Sequence, residues 1–292
     1  MRIVVGVDLE ELYRPALDLC LRLKFPDPQL LFTHAVAPIY QFPAGLVPTV
    51  IPVGKAMEEL HAAGESVVAD AKAEACSRDV SAETAVAKGG AGLILMRLAD
   101  EHKAHLIAIG SGKERTGLAS FLGSVARALA ISASQSILVM KGKIKGTGPV
   151  RAVFATDHSD YANRCLDKLI EWAPQGFSRI DVVTAYGMTD AASSLLKNYV
   201  KVELDIEDWV RERTEDLCRK TADKLKAIAA ETGIRVEKGH PNTVIRDAME
   251  DLGAELLILG AQGHGFVERL LIGSVSLRQV MAEPYPVLVI RR

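Results

Sequence analysis

The feature that most constrains this chain is an internal duplication. MRIVVGVD at the start recurs as VRAVFATD at 150 to 157, and AHLIAIGSGKERTGLASFLGS (104 to 124) recurs as AELLILGAQGHGFVERLLIGS (254 to 274). Asp8 thus matches Asp157, Gly110 matches Gly260 and Gly123 matches Gly273. Asp8 precedes Gly110 by 102 residues and Asp157 precedes Gly260 by 103, so the register holds through the whole unit. A repeat this long is a duplicated domain rather than a solenoid element, and 292 residues hold two domains of ordinary size. KGKIKGTGPV (141 to 150), with three glycines, three lysines and a late proline, predicts a solvated connection between domains at 1–143 and 149–292.

In the second copy, apolar runs near 151 to 156, 179 to 186, 234 to 238, 255 to 259 and 287 to 290 predict buried strands. Ala162, Cys165, Leu166, Leu169 and Ile170 recur at intervals of three and four, the mark of a helix with one face on a sheet. A second helix begins near Pro241, whose missing N–H costs nothing in a first turn, and carries Val244, Ile245, Ala248, Met249 and Leu252. DWVRERTEDLCRKTADKLK (208 to 226) predicts an amphipathic helix with Trp209, Leu217 and Leu225 inward. The order is βαβαβαβαβ, which implies α/β domains with parallel strands, right-handed crossovers and a doubly wound open sheet. Ligands of such sheets bind beyond the C-terminal strand ends, where strand order reverses, and Asp157 and Gly260 sit at such ends. The halves differ most after their second strands: PIYQFPAGLVPTVIPVG (38 to 54) is proline-rich and reads as loop, whereas MTDAASSLLKNYVKVELDIEDWV (188 to 210) reads as partly helical.

Charge and leader signals narrow the function classes. With 35 Lys plus Arg against 37 Asp plus Glu there is no broad positive field for a phosphate backbone, so nucleic acid is not the expected partner. MRIVVGVD is too short an apolar run for a signal peptide, and no stretch approaches the roughly 20 apolar residues of a membrane span, which predicts a cytoplasmic protein with no membrane partner. Cys20, Cys76, Cys165 and Cys218 lack any C-x-x-C spacing and read as reduced, buried residues.

One segment carries chemistry. The strand ELLIL runs into Gly260, Gly263 follows after two residues, and nine more lead to Gly273 and Ser274, where VSLRQVMAE reads as a helix. Backbone N–H groups turned toward an anion bind phosphate, and glycine permits both unusual dihedrals and close approach. The helix after Ser274 adds free amides and a positive dipole end. Ser274 either caps this helix or offers its hydroxyl to a phosphate. Neither G-x-x-x-x-G-K-[ST] nor G-x-G-x-x-G after a strand occurs in either half, so the two better-known phosphate loops are excluded.

Glycine, two residues, glycine, nine residues, then Gly-Ser resembles the ATP-binding branch of the universal stress protein family, and the chain as a whole looks like a tandem member. ATDHSDYANRCL (155 to 166) is similar to that family's opening strand and helix, and KGHPNTVIRDAMEDLGAELLILGAQGHG (238 to 265) to its third strand, helix and fourth strand. The resemblance implies two Rossmann-like, five-stranded sheets of the adenine nucleotide alpha hydrolase-like type. It implies that Thr156 and Asp157 lie by the nucleoside and that Ala185 and Tyr186 border adenine. It places Gly260, Gly263, His264, Gly265, Gly273, Ser274 and Val275 around ribose and phosphates. ATP or AMP is the implied ligand, with Mg beside the nucleotide left open. The last strands of two domains pair in this family, which implies an internal pseudo-dimer and leaves a homodimer open. The first half departs from the pattern: Lys113 stands where the second glycine belongs, with Gly112 before it and Gly123 and Ser124 retained, so weak or absent binding is expected there.

Plainer roles stand beside these. Asp157 also suits a turn or cap before a helix, and His264 a solvated loop. His102 and His105, three apart at a helix end without a third ligand in view, read as structural. The resulting expectation is a nucleotide-binding stress sensor or regulator. A slow ATP-hydrolysing enzyme and a partner-binding scaffold are the alternatives, and no convincing catalytic set is visible.

Overall fold

The computed structural model describes residues 1–37, 53–111, 123–142, 146–187, 206–263 and 272–292. It divides into two compact units: Met1–Leu21 with Phe25–Ile144, and Lys145–Arg292 with Arg22–Lys24.

The first unit runs β1 (Arg2–Gly6), α1 (Arg14–Arg22), β2 (Gln29–Val36), α2 (Val53–Cys76), β3 (Ser81–Lys88), α3 (Ala91–Glu101), β4 (Leu106–Gly110), α4 (Ser124–Ser132) and β5 (Ser136–Met140). The second repeats it as β6 (Val150–Ala155), α5 (Asp160–Glu171), β7 (Phe177–Tyr186), α6 (Ile206–Leu225), β8 (Ala229–Lys238), α7 (Pro241–Asp251), β9 (Leu256–Gly260), α8 (Ser274–Ala282) and β10 (Val287–Ile290). Within the units the strand orders are β3-β2-β1-β4-β5 and β8-β7-β6-β9-β10, and the pairings within these orders are parallel.

In each unit the chain steps outward on one side of the first strand, then crosses back and steps outward on the other. Right-handed crossovers therefore put the first two helices on one face and the last two on the opposite face, giving the doubly wound α/β architecture. The reversal falls between β6 and β9 in the second unit, where Ala155 pairs with Leu259. Central strands are buried on both faces: Leu256, Leu257, Ile258, Val153 and Phe154 are at most 1% exposed. On α5, Ala162, Cys165, Leu166 and Leu169 are buried as the spacing predicts, and on α7 Val244, Ile245, Ala248 and Met249 are. Leu252 lies one residue beyond α7 as its C-cap.

Several expectations need correction. α6 buries Cys218, Thr221, Ala222 and Leu225, whereas Trp209 is 63% exposed and Leu217 only half-buried. Nine residues at about 100° each set Trp209 about 180° from Cys218 around the helix, so one face cannot bury both. β7 and β8 start at Phe177 and Ala229, earlier than their apolar runs, because β8 is an edge of its unit and carries polar residues at exposed positions. α2 begins at Val53, inside the segment expected to be loop, and Val150 of the expected connection already belongs to β6. The remainder of the 38–54 and 188–210 segments, at 38–52 and 188–205, lies outside the described residues, as do Gly112 and Lys113.

Candidate functional site

The strand reversal of the second unit opens into a cavity of about 460 Å³, within the usual size range of small-molecule sites. β6 delivers Ala155, Thr156 and Asp157 to it, β7 delivers Val183 and Ala185, and β9 delivers Leu259 and Gly260. The first turn of α8 closes one wall with Ser274, Val275 and Ser276, and Pro241 and Ile245 of α7 form another. Of the residues singled out from sequence, Thr156, Asp157, Ala185, Gly260, Gly263, Gly273, Ser274 and Val275 all line this space. Tyr186 is not among the lining residues; it follows Ala185 as the last residue of β7 and pairs with Lys238. His264 and Gly265 lie outside the described residues.

The glycines matter for approach rather than for dihedrals. Gly260, Gly263 and Gly273 are absent from the left-handed residues, and Gly273 has an extended φ of −77°. A Cβ on Gly263, however, would lie 2.5 Å from Asp157 Oδ2. A Cβ on Gly273 would touch the Ala261 carbonyl at 3.4 Å and lie 3.9 Å from the Gly263 nitrogen, so the two glycine segments nearly touch. They are also bonded, the Gly273 N–H donating to the Ala261 carbonyl at 2.6 Å. Bare backbone thus lines the meeting point of both segments.

Ser274 does not cap α8. Gly273 holds the N-cap position with no side-chain cap bond, and Ser274 is exposed in the first turn on the cavity wall. The first turn of a helix leaves amides without intrahelical partners at the positive end of its dipole, and this turn lines the cavity. Ser276 is the buried tie: its Oγ donates to the Gly260 carbonyl at 2.7 Å and holds the end of β9 against the helix.

Asp157 makes the turn expected of it while lining the cavity. Its Oδ1 accepts the Ser159 N–H at 3.1 Å, a turn that lets Ser159 cap α5 by accepting from the Ala162 N–H, while Oδ2 lies beside Gly263. Behind it, Thr184 Oγ1 donates to the Thr156 carbonyl at 2.9 Å. The same oxygen lies 3.0 Å from His158 Nε2 and 3.3 Å from Cys218 Sγ. With its only proton on Thr156, Thr184 accepts from these neighbours. His158 holds a left-handed φ of 56°, so this buried cluster fixes an unusual backbone beside Asp157. Burial pushes the Cys218 thiol up, keeping it a neutral donor.

Beneath Gly260 the surroundings are apolar. Burial pushes Cys165 up to about 11, and its Sγ donates to the Ile290 carbonyl; burial likewise takes Tyr161 to about 12. A second polar chain joins the walls. Fully buried Gln279 of α8 donates through Nε2 to Asn242 Oδ1 in the first turn of α7, and Tyr285 donates to Gln279 Oε1 at 2.6 Å.

Gln262, Pro241, Ile245, Ile272 and Ser276 line the cavity without having been singled out as site residues. The start of α7 at Pro241 was visible in sequence, but its position across from α8 comes from the fold. His102 and His105 have structural roles, His102 as the C-cap of α3 and His105 as acceptor of the Arg2 N–H. Among the described residues no group of three or more His, Cys, Asp or Glu is arranged for a metal, and no helix is long and apolar enough to cross a membrane.

Comparison with known proteins matches this architecture. The model of the universal stress protein family fits residues 1–141 and again 151–291. A universal stress protein of Bacillus subtilis (strain 168) is 24% identical over 145 residues, 48% of this chain and 98% of its own length. The crystal structure of a universal stress protein from Archaeoglobus fulgidus DSM 4304 aligns with a TM-score of 0.69 over 100% of this chain and 98% of that one, at 17% identity. A functionally unknown protein from Pseudomonas aeruginosa PAO1 aligns at 0.63 over 99% and 92%, at 14% identity. The structural likenesses establish the fold, and the twofold match of the family model shows that this chain belongs to the universal stress protein family as a tandem of two such domains.

Proposed function

We propose that the protein binds an adenine nucleotide, ATP or AMP, in its second domain and acts as a stress-response sensor or regulator. The observation that carries this reading is the contact of Gly263 with Asp157 at the cavity rim, where any side chain at 263 would displace the carboxylate. The free amides of α8 and the Ser274 hydroxyl offer a phosphate its donors, and the apolar walls of Val183, Ile245 and Leu259 suit a base. Asp157 is the one carboxylate lining the cavity among the described residues. Mg accompanying a triphosphate would rely on the phosphates for most of its other ligands.

Calorimetric titration of nucleotide-stripped protein with ATP, ADP and AMP tests the reading. It expects about one site per chain, in the second domain, where the full glycine set is kept. Absence of binding by all three nucleotides sinks it, and turnover above a slow background moves it to the enzyme alternative. Pairing of the two domains through their last strands, and a homodimer, belong to the same proposal. Slow amide exchange at 136–140 and 287–290, and the sedimentation mass of the whole chain, test them.

A further inference from the structure

The two domains differ sharply just after their first strands. Asp157 accepts from Ser159, α5 begins at Asp160, and Ala162 of its first turn lines the cavity. The matching Asp8 Oδ1 instead accepts from both Glu10 N–H at 2.9 Å and Leu12 N–H at 3.1 Å, Glu11 takes a left-handed φ of 60°, and α1 begins only at Arg14. The turn is thereby drawn onto the end of β4. A Cβ on Gly110 would fall inside the Leu12 carbonyl and stand 3.1 Å from the Tyr13 nitrogen. The same construction on Gly260 meets only contacts of 3.3 Å or more, at Cys165 Sγ, the Gln262 carbonyl and Tyr161 Cδ1.

Tyr13 occupies the position of the cavity-lining Ala162 in the shared register. It is fully buried, and among the described residues its hydroxyl has no hydrogen-bond partner. Arg14 fastens the turn, with Nε and Nη2 on the two oxygens of Glu11 and Nη1 on Glu74 of α2.

We propose that the first domain is shut to nucleotide by its own β1–α1 turn, and that residues 9–13 rather than Lys113 hold the chain to one site. The inference rests on the nucleotide-binding reading of the second domain. The test is a chain carrying Leu9→His, Glu10→Ser, Glu11→Asp, Leu12→Tyr and Tyr13→Ala together with Lys113→Gly, titrated with ATP beside Lys113→Gly alone. The combined variant is expected to take up a second equivalent and Lys113→Gly alone to remain at one. A second equivalent in Lys113→Gly alone, or a combined variant with native circular dichroism that still binds one, overturns the proposal. Photolabelling of the unaltered protein with saturating azido-ATP decides the matter even if the combined variant does not fold. Label confined to second-domain peptides is expected, and label on first-domain peptides overturns the closure. No label in either domain defeats the parent reading instead, which separates the two failures.

Discussion

Asp157 and Gly263 are mutually exclusive with any side chain between them: Oδ2 of the first stands 2.5 Å from the place a Cβ of the second would occupy. The carboxylate that turns the chain into α5 is held at the cavity rim only because residue 263 has no side chain. This contact makes the site sensitive to one methyl group.

Gly263→Ala is therefore expected to weaken ATP binding by roughly 10- to 100-fold, the equivalent of one or two charge-assisted hydrogen bonds, with little change in the urea midpoint. Calorimetry beside urea unfolding measures both. Unchanged affinity would remove Gly263 from the site.

Thr184→Val keeps side-chain volume while removing the hydroxyl that serves the Thr156 carbonyl, His158 and Cys218. Stability is expected to fall by about 1–3 kcal/mol through the buried groups left unpaired. ATP affinity is expected to fall about tenfold, about 1.4 kcal/mol, as Thr156 and Asp157 lose their backing. A stability loss without an affinity loss would show that the cluster supports the fold alone.

On the opposite edge, Gly233 faces Asp181 in the β7–β8 register, and a Cβ there would collide with the Asp181 carboxylate and the Arg179 guanidinium. Arg179 grips Asp181 with two bonds of 2.8 Å, and Asp181 is 6% exposed against 34% for Arg179. Gly233→Ala is expected to cost about 1–3 kcal/mol, less than breaking a fully buried pair because solvent screens the guanidinium. Chemical denaturation reads this directly, and nucleotide affinity is expected to stay unchanged.

The thiols supply a pH dependence. Burial pushes Cys20 up to about 12 and Cys165 to about 11 from an ordinary value of 9.0. The unfolded chain therefore gives up these protons first. The contribution to stability is complete below about pH 9 and is lost as pH rises through that value toward the folded ones. Urea midpoints are expected to fall between pH 9 and 11. At pH 8 a thiol reagent is expected to find exposed Cys76 quickly and Cys20, Cys165 and Cys218 only on unfolding. Rapid reaction of all four would contradict the burial.

Much of this was written in the order of residues. The repeated strand ends at Asp8, Asp157, Gly110 and Gly260 gave the topology, since a parallel sheet buried on both faces leaves long apolar runs. What escaped was the solvent-facing edge: Ala229 to Gly233 pair with β7 through the backbone and an Arg179–Glu231 ion pair, and carry no apolar run. Trp209 misled because hydrophobicity predicts burial only when the helical angle agrees. At the site, glycine spacing found two of the walls, while Pro241 and Ile245 came from a helix whose own periodicity describes its packing and not what it overlooks. The closure over Gly110 depends on how Asp8 spends its carboxylate, and spacing does not encode that choice.

The bridge from Tyr285 through Gln279 to Asn242 has a mechanical consequence. One hydrogen bond, from Gln279 in the body of α8 to Asn242 in the first turn of α7, ties the two helices together, and Tyr285 holds the Gln279 amide in place for it. Ser274 and Pro241 both line the cavity, so a ligand settling there meets two walls that are bonded to each other behind it.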